Sequence, residues 1–476
     1  METSQGAQTR VPTEINLRIF EVGLISSDSS QPLDFKTAYS KPHSKESIKL
    51  STRYLSKTPK SRKLYDKAKR VLPAGVSYFL RYIEPYPFYT ARAKGSKLYD
   101  VDGNQYVDFW IGHYALILGH SPLMVMREVR RQLAEGTHFG TAHELEIALA
   151  EQVAKMVPTA QMIRFTNSGT EAIMYATRLA RAVAHRDSVG KFEGGWHGGY
   201  DALHVAVKHP FDVAESNGLT KGALKDTIAL PYNRIEPIRK TMKRKKLAAV
   251  FIEPVMVSGG CIPAKRDFLQ ELRELCTENN TLLVFDEIIT GFRLAPGGAQ
   301  QLLGIKPDIT VFGKILGGGF PIGAVAASRE IMEHMNPLVY QRPSFAFQGG
   351  TFTANPITMT AGLATLKALE DGKLIDRLNK HGDYLRKQLQ DVFKRKNLDV
   401  QVTGSGSLWH THFSKENIED ANAVSRADKE RLRRYHMHLI DNGVFFLPGK
   451  AGALSIAHTK ADFERLLSET ESHKFR

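Results

Sequence analysis

Between about residues 119 and 345 the chain alternates short apolar runs with amphipathic helical stretches, and few folds accommodate that order. The runs Ala248–Ile252, Thr281–Phe285 and Asp308–Phe312 have the length of strands and an almost wholly apolar make-up, which suits strands covered on both faces. Around them, Thr170–Val183 sets Ala172, Ile173, Ala176, Leu179, Ala180 and Val183 at helical spacing. Arg266–Asn279 does the same with Leu269, Leu272, Leu275 and Cys276. Strand and helix repeating in this way predict a parallel α/β sheet. Each of the three strands runs into polar residues: Glu253-Pro254, Asp286-Glu287 and Gly313-Lys314. Open α/β sheets bind ligands just beyond the carboxyl ends of their strands. Those residues are therefore the first candidates for chemistry.

The flanks read differently. Residues 1–58 are polar and are expected to be an extension or an arm packing on another subunit. From Ser61, Leu64, Ala68, Val71 and Leu72 have the spacing of a short amphipathic helix, ended by Pro73-Ala74-Gly75. Lys97–Trp110 has the pattern of a hairpin with Asp102-Gly103 at its turn. Beyond residue 355, helices are expected at Pro356–Leu369, Leu374–Lys394 and Ala427–Asn442, separated by short strands. The expected division is 1–58 as extension, 59–118 as the first part of a smaller α+β domain, 119–355 as the large domain and 356–476 as the rest of the small one. A net charge of +15 raises the question of nucleic acid. The stretch 41–70, with eleven basic residues against two acidic ones, carries most of it and reads as a solvated helix face, so no nucleic-acid partner is expected. With no apolar run long enough to cross a bilayer and no basic-then-apolar leader, a cytoplasmic protein without membrane contact is expected. Cys261 and Cys276 form no C-x-x-C pair, so neither a disulfide framework nor a metal site is expected.

Five stretches carry the candidate chemistry. In Val311–Ala324, Lys314 sits among apolar residues and is followed by Gly317-Gly318-Gly319. Apolar surroundings depress a lysine's pKa and free its neutral amine for Schiff-base chemistry, and the glycines let a bulky ligand approach. A strand-end lysine with its head in water is the alternative. In F-T-N-S-G-T-E-A, Ser168, Gly169 and Thr170 stand at a helix start, suited either to a phosphate or to plain capping. Asp286 needs a cationic partner, either a protonated ring nitrogen of a ligand or Arg293. In G-G-W-H-G-G-Y, Trp196 stacks on a flat ring or fills a turn, with His197 beside it among the candidates. In G-G-T-F-T-A-N-P, Gly350 and Thr351 suit a phosphate, although Thr353 or Asn355 alone would cap the following helix.

In this order the motifs resemble the class III aminotransferases of the pyridoxal-phosphate fold-type I family, over nearly the whole stretch from Ser61 to His458. The resemblance is most specific in D-E-I-I-T-G-F-R (Asp286–Arg293) and G-K-I-L-G-G-G-F-P-I-G-A (Gly313–Ala324) and the interval between them. It implies an α/β fold with a large mixed, mainly parallel sheet domain and a smaller α+β domain, the cofactor pyridoxal 5′-phosphate, and a homodimer with its sites at the subunit interface. Lys314 would bind the cofactor covalently and shuttle the proton, and Asp286 would pair with the pyridine nitrogen. Trp196 and Ile288 would lie on opposite faces of the ring. Ser168, Gly169 and Thr170 would hold the phosphate, with Thr351, next to Gly350, reaching in from the second subunit. Asn233 would lie near the phenolic oxygen, and Glu253 would belong to the same polar rim. Trp196 stands where those relatives usually carry tyrosine.

Two branches of the family compete. Glutamate-1-semialdehyde aminomutases are similar in S-R-x-L-Y-D-K-A-K-R, D-V-D-G-N, I-L-G-H and G-G-A-Q, and place a carboxylate-binding arginine where Arg81 falls. The β-phenylalanine type of aminotransferase is similar in G-G-W-H-G-G, in Ser258–Glu274 and in R-L-A-P. The aminomutase pattern also has an acidic gating residue near its end, whereas Pro448–His458 is shorter and has no Asp or Glu. A mutase must retain what an aminotransferase must release. The expectation is therefore ping-pong transfer from an amino acid, including β-amino acids, to a 2-oxo acid, with Arg81 and Lys450 as candidates for the substrate carboxylate; the alternative is the aminomutase.

Overall fold

The computed structural model describes residues 52–475. Of the expected extension, residues 1–51 lie outside them; Thr52–Lys57 form a short helix with Tyr54 buried, its hydroxyl donating to the Tyr86 carbonyl at 2.8 Å.

Seven strands form the central sheet: β1 (Met162–Thr166), β2 (Val189–Phe192), β3 (Thr227–Leu230), β4 (Ala249–Ile252), β5 (Leu282–Asp286), β6 (Ile309–Gly313) and β7 (Gly323–Ala327). Their order across the sheet is β1-β7-β6-β5-β4-β2-β3. β7 runs antiparallel to both neighbours and the other pairings are parallel, so the sheet is mixed and mainly parallel. The apolar strands are covered on both sides, as their composition requires. Helix α1 (Gly169–Ala184) packs Ala172, Ile173, Ala176 and Leu179 against Phe251, Val284 and Val311. Helix α2 (Arg266–Glu278) packs Phe268, Leu269, Leu272 and Leu275 against Phe192, Val250 and Phe285. Each large side chain so buried contributes about 1.5–3 kcal/mol.

The hairpin expected at Lys97–Trp110 pairs Lys97–Asp100 with Gln105–Asp108, and Gly103 takes the left-handed φ of 93° at its turn. The Asp100 carboxylate fastens that turn, accepting from Asp102 N at 3.0 Å and Asn104 N at 2.7 Å. Thr90–Lys94 and Val444–Phe445 complete this second sheet, which thus joins distant parts of the chain. Helices α3 (Pro356–Leu369), α4 (Lys373–Arg395) and α5 (Lys429–Asp441) stand where the sequence predicts them. On α3, Gly362 lies so close to the Lys314 loop that a Cβ would come within 2.3 Å of the Leu316 carbonyl oxygen.

His410, His436 and His458 are all buried, and burial is the first cause pulling them to about 4, about 3 and about 4. An unfolded histidine titrates near 6.5, so between pH 6.5 and 4 the unfolded chain binds protons that these native imidazoles do not. Stability should therefore fall as pH drops through this window, at a slope growing toward three protons, or ~1.4 kcal/mol per pH unit for each. Denaturant midpoints at stepped pH measure this; a flat profile from 6.5 to 4 would contradict it.

Candidate active site

The carboxyl ends of β4, β5 and β6 bring Glu253, Asp286 and Lys314 together. Asp286, 4% exposed, is held on both oxygens: Oδ2 lies 2.7 Å from His197 Nδ1, and Oδ1 accepts the Ile288 N–H at 3.1 Å. Burial holds the His197 imidazole below its ordinary value; Asp286 opposes this and the Lys191 charge adds to it. In its neutral form the ring donates from Nδ1 to Asp286. No Lys or Arg among the described residues pairs with Asp286, so a buried anion faces the cleft with neutral donors behind it. That environment suits a protonated ring nitrogen. Arg293, the alternative partner, is elsewhere.

Lys314 follows β6 with a φ of 48°, in a turn whose Gly318 and Gly319 have φ of 57° and 103°. Burial lowers its ammonium's pKa, against the opposing charges of Asp286 and Glu253, and the amine has no ion pair or hydrogen bond with any described residue. Glu253 accepts from Trp196 N at 2.9 Å and Val257 N at 3.1 Å. Burial, and then the neighbouring Asp286, push its carboxyl above the usual range.

Two hydrophobic groups flank the space between them. The Trp196 ring is half-buried and meets His204 edge-on at 5.3 Å. Ile288 packs on Gly169, where a Cβ would fall 2.7 Å from its Cδ1. Gly198, φ 80°, brings the Trp196 turn against Thr170, where a Cβ would fall 2.3 Å from Oγ1. Both therefore converge on the start of α1. There Ser168 Oγ accepts the Glu171 N–H at 3.2 Å, while the N–H groups of Gly169 and Thr170 belong to the first turn, which has no acceptor within the helix. The donor set of an unpaired lysine, a buried carboxylate, a helix start with hydroxyls and a half-buried tryptophan fits a phosphorylated pyridine aldehyde.

Other candidates are placed differently. Asn233 is not brought to this cluster. Its side-chain amide donates to the Pro263 and Glu419 carbonyls at 3.3 and 2.9 Å, and its oxygen accepts from Lys265 N at 2.8 Å, so it staples a loop. Thr351 and Gly350 are exposed beside a cavity of about 270 Å³ that His138 and His143 also line, and Asn355 caps α3 through the Thr358 N–H at 2.9 Å. Arg81 is exposed, its guanidinium 6.0 Å over the Tyr78 ring. Lys450 lines a cavity of about 360 Å³ between Gly194, Lys208, Ser258 and His410; burial lowers its pKa, and it forms no ion pair with a described residue.

Sequence reasoning missed His113. Its ring lies 4.5 Å from Trp110 and 5.4 Å from Tyr78, and burial, then the charges of Lys314 and Arg81, hold it to about 4, with Lys450 adding in the same sense. His113 stands in a left-handed stretch, Ile111 to Tyr114, with φ of 36°, 58°, 59° and 69°. Such geometry costs roughly 1–2 kcal/mol per non-glycine residue, and no sequence signal announces it. Two buried groups enforce it. Asp108 Oδ1 accepts from Trp110 N at 2.9 Å and Ile111 N at 3.0 Å. Arg293, wholly buried, donates to the Tyr114 carbonyl at 2.5 Å, to Ser407 Oγ at 3.0 Å and to the Leu454 carbonyl at 3.1 Å.

The sheet and this cluster together define a pyridoxal-phosphate enzyme of α/β architecture. The family model for aminotransferase class-III matches residues 80–456, and the chain belongs to that family. Pyridoxal 5′-phosphate is its cofactor. A glutamate-1-semialdehyde 2,1-aminomutase of Methanosphaera stadtmanae is 40% identical over 87% of this chain and 98% of its own length. Among solved structures, an omega-transaminase from Sphaerobacter thermophilus is 38% identical with a TM-score of 0.82, covering 87% of this chain and 96% of that one. A beta-phenylalanine aminotransferase from Variovorax paradoxus is 32% identical, also with a TM-score of 0.82, over 88% and 94%.

Replacing Arg293 by Met leaves the Tyr114 and Leu454 carbonyls unpaired in the core. The expected loss is about 2–5 kcal/mol, read from urea unfolding of the variant. A loss below about 0.5 kcal/mol, the range of ordinary surface changes, would contradict the role given to it.

Proposed function

We propose that the protein is an aminotransferase that moves an amino group from an amino acid, β-amino acids included, to a 2-oxo acid by a ping-pong mechanism. The observation that carries this reading is the segment Pro448–His458. It has no carboxylate to close over the site, and it places Lys450 in the cavity beside the Trp196 turn. A cation there attracts the substrate's carboxylate and leaves the keto product free to depart.

When bound, the cofactor supplies an electrophilic carbon and an electron sink. The chain's own residues do the rest in this reading. Lys314, its pKa lowered by burial, removes the proton at the donor's amino-bearing carbon and returns one on the other side of the exchange. Asp286, oriented by His197 and the Ile288 N–H, holds the ring nitrogen's proton. Trp196 and Ile288 hold the ring flat, and Ser168, Gly169 and Thr170 hold the phosphate. Arg81 and Lys450 bind the carboxylate. The exposed Gly350 and Thr351 complete the phosphate site of the second subunit in a homodimer.

A second reading, intramolecular amino transfer by a glutamate-1-semialdehyde 2,1-aminomutase, draws support from the 40% identity to relatives of that name. The two separate on the need for a second substrate. Holoprotein given a panel of amino donors is expected to turn over only when 2-oxoglutarate or pyruvate is added. Isomerisation of glutamate-1-semialdehyde with no co-substrate would replace the first reading by the second.

Lys450→Ala should raise KM for the donor roughly tenfold while changing kcat much less, since a carboxylate contact is shared by ground and transition states. Steady-state kinetics with the best donor of that panel measure it. An unchanged KM removes Lys450 from the substrate site.

A further inference from the structure

One fully buried charge plays no part in the reading above. Lys191, on β2, is 0% exposed, yet it has no carboxylate within ion-pair distance among the described residues. Its side chain leaves the same face of β2 as Val189, toward α1 and the segment 193–206. There its ammonium donates to three main-chain carbonyls: Gly195 at 2.8 Å, Leu203 at 3.2 Å and Val205 at 2.6 Å. Burial, against the opposing charges of Glu253 and Glu215, pulls this group down to about 7; in its protonated form three donors meet three acceptors.

Along the chain the acceptors flank the stretch that carries Trp196. Gly195 immediately precedes Trp196, and Leu203 and Val205 bracket His204, whose ring meets the Trp196 ring edge-on at 5.3 Å. The residue after Trp196 is His197, bound to Asp286 at 2.7 Å. Glu253 fixes the remaining main-chain donor of the turn, the Trp196 N–H, at 2.9 Å. Lys191 thus ties both ends of the Trp196–His204 segment to the sheet. Its charge acts on His197, His204 and Glu253, and Glu215, paired with Lys208, faces it from the outer side.

We propose that Lys191 is a positioning residue for the cofactor: a buried amine that fixes the Trp196–His204 segment at both its ends and, when protonated, sets a positive charge beside His197 and Glu253. An apolar residue of equal length would leave three carbonyls unpaired and remove the positive charge of the protonated amine. It acts through Trp196 and His197 and does not touch the reacting atoms.

The test is Lys191→Met in the full-length holoprotein, with Lys191→Gln as a second variant that keeps two donors and no charge. Three quantities are read: the dissociation constant for pyridoxal 5′-phosphate, the pH midpoint of the bound cofactor's visible absorbance, and the thermal midpoint of the apoprotein. Lys191→Met is expected to weaken cofactor binding on the order of tenfold. Loss of a nearby positive charge favours protonated forms, so the absorbance midpoint should rise by about one pH unit. Lys191→Gln should recover part of the affinity and none of the midpoint. Wild-type affinity and midpoint in Lys191→Met overturn the proposal. So does a lower thermal midpoint with both cofactor quantities unchanged, and so does failure of both variants to fold, since the lysine is then structural only.

Discussion

A carboxylate at the end of an apolar strand is costly unless something meets its charge, and the architecture around Asp286 turns that cost to use. Its two oxygens are engaged by a neutral imidazole and a main-chain N–H, which fix its direction without neutralising it. Burial favours the neutral form of His197, against the pull of the carboxylate it orients. The net charge is left for a cationic ring to satisfy. Lys314, whose amine has no ion pair or hydrogen bond among the described residues, stands at the end of the next strand. An amine and a carboxylate at the ends of adjacent strands, neither paired with a Lys, Arg, Asp or Glu among the described residues, make the sheet a holder for one ligand bearing both an aldehyde and a basic nitrogen.

The second constraint is strain. The Ile111–Tyr114 stretch takes a conformation that its side chains oppose, and it persists because Asp108 and Arg293 supply acceptor and donors from within the core. Arg293 lies seven residues after Asp286 and reaches Ser407 and Leu454 as well. The same loop that leaves Asp286 therefore holds the turn bearing His113. A buried guanidinium thus braces the turn bearing His113 against the loop that follows Asp286.

How much of this was legible in the sequence follows from the range of each interaction. Wholly apolar strands, the periodicity of α1 and α2 and the Asp102-Gly103 turn are local patterns, and the structure has them within a residue or two. The candidates at strand ends converge because parallel topology brings carboxyl ends together. The partner of Asp286 was not legible: His197 lies 89 residues away, while Arg293 is near in sequence and turns elsewhere. Asn233 follows a strand and resembles a site residue by position, but its amide is used up by three loop groups. His113 and Lys191 depend on a left-handed turn and on three converging carbonyls, neither of which is encoded by residue type at fixed spacing.

The central claim is that the unpaired amine at the end of β6 is the covalent anchor of the cofactor. Reduction of the holoprotein with borohydride, followed by protease digestion and mass spectrometry, locates the phosphopyridoxyl group directly. A single adduct on the peptide carrying Lys314 is the expected result. An adduct on any other lysine, or none with cofactor bound, would contradict the account.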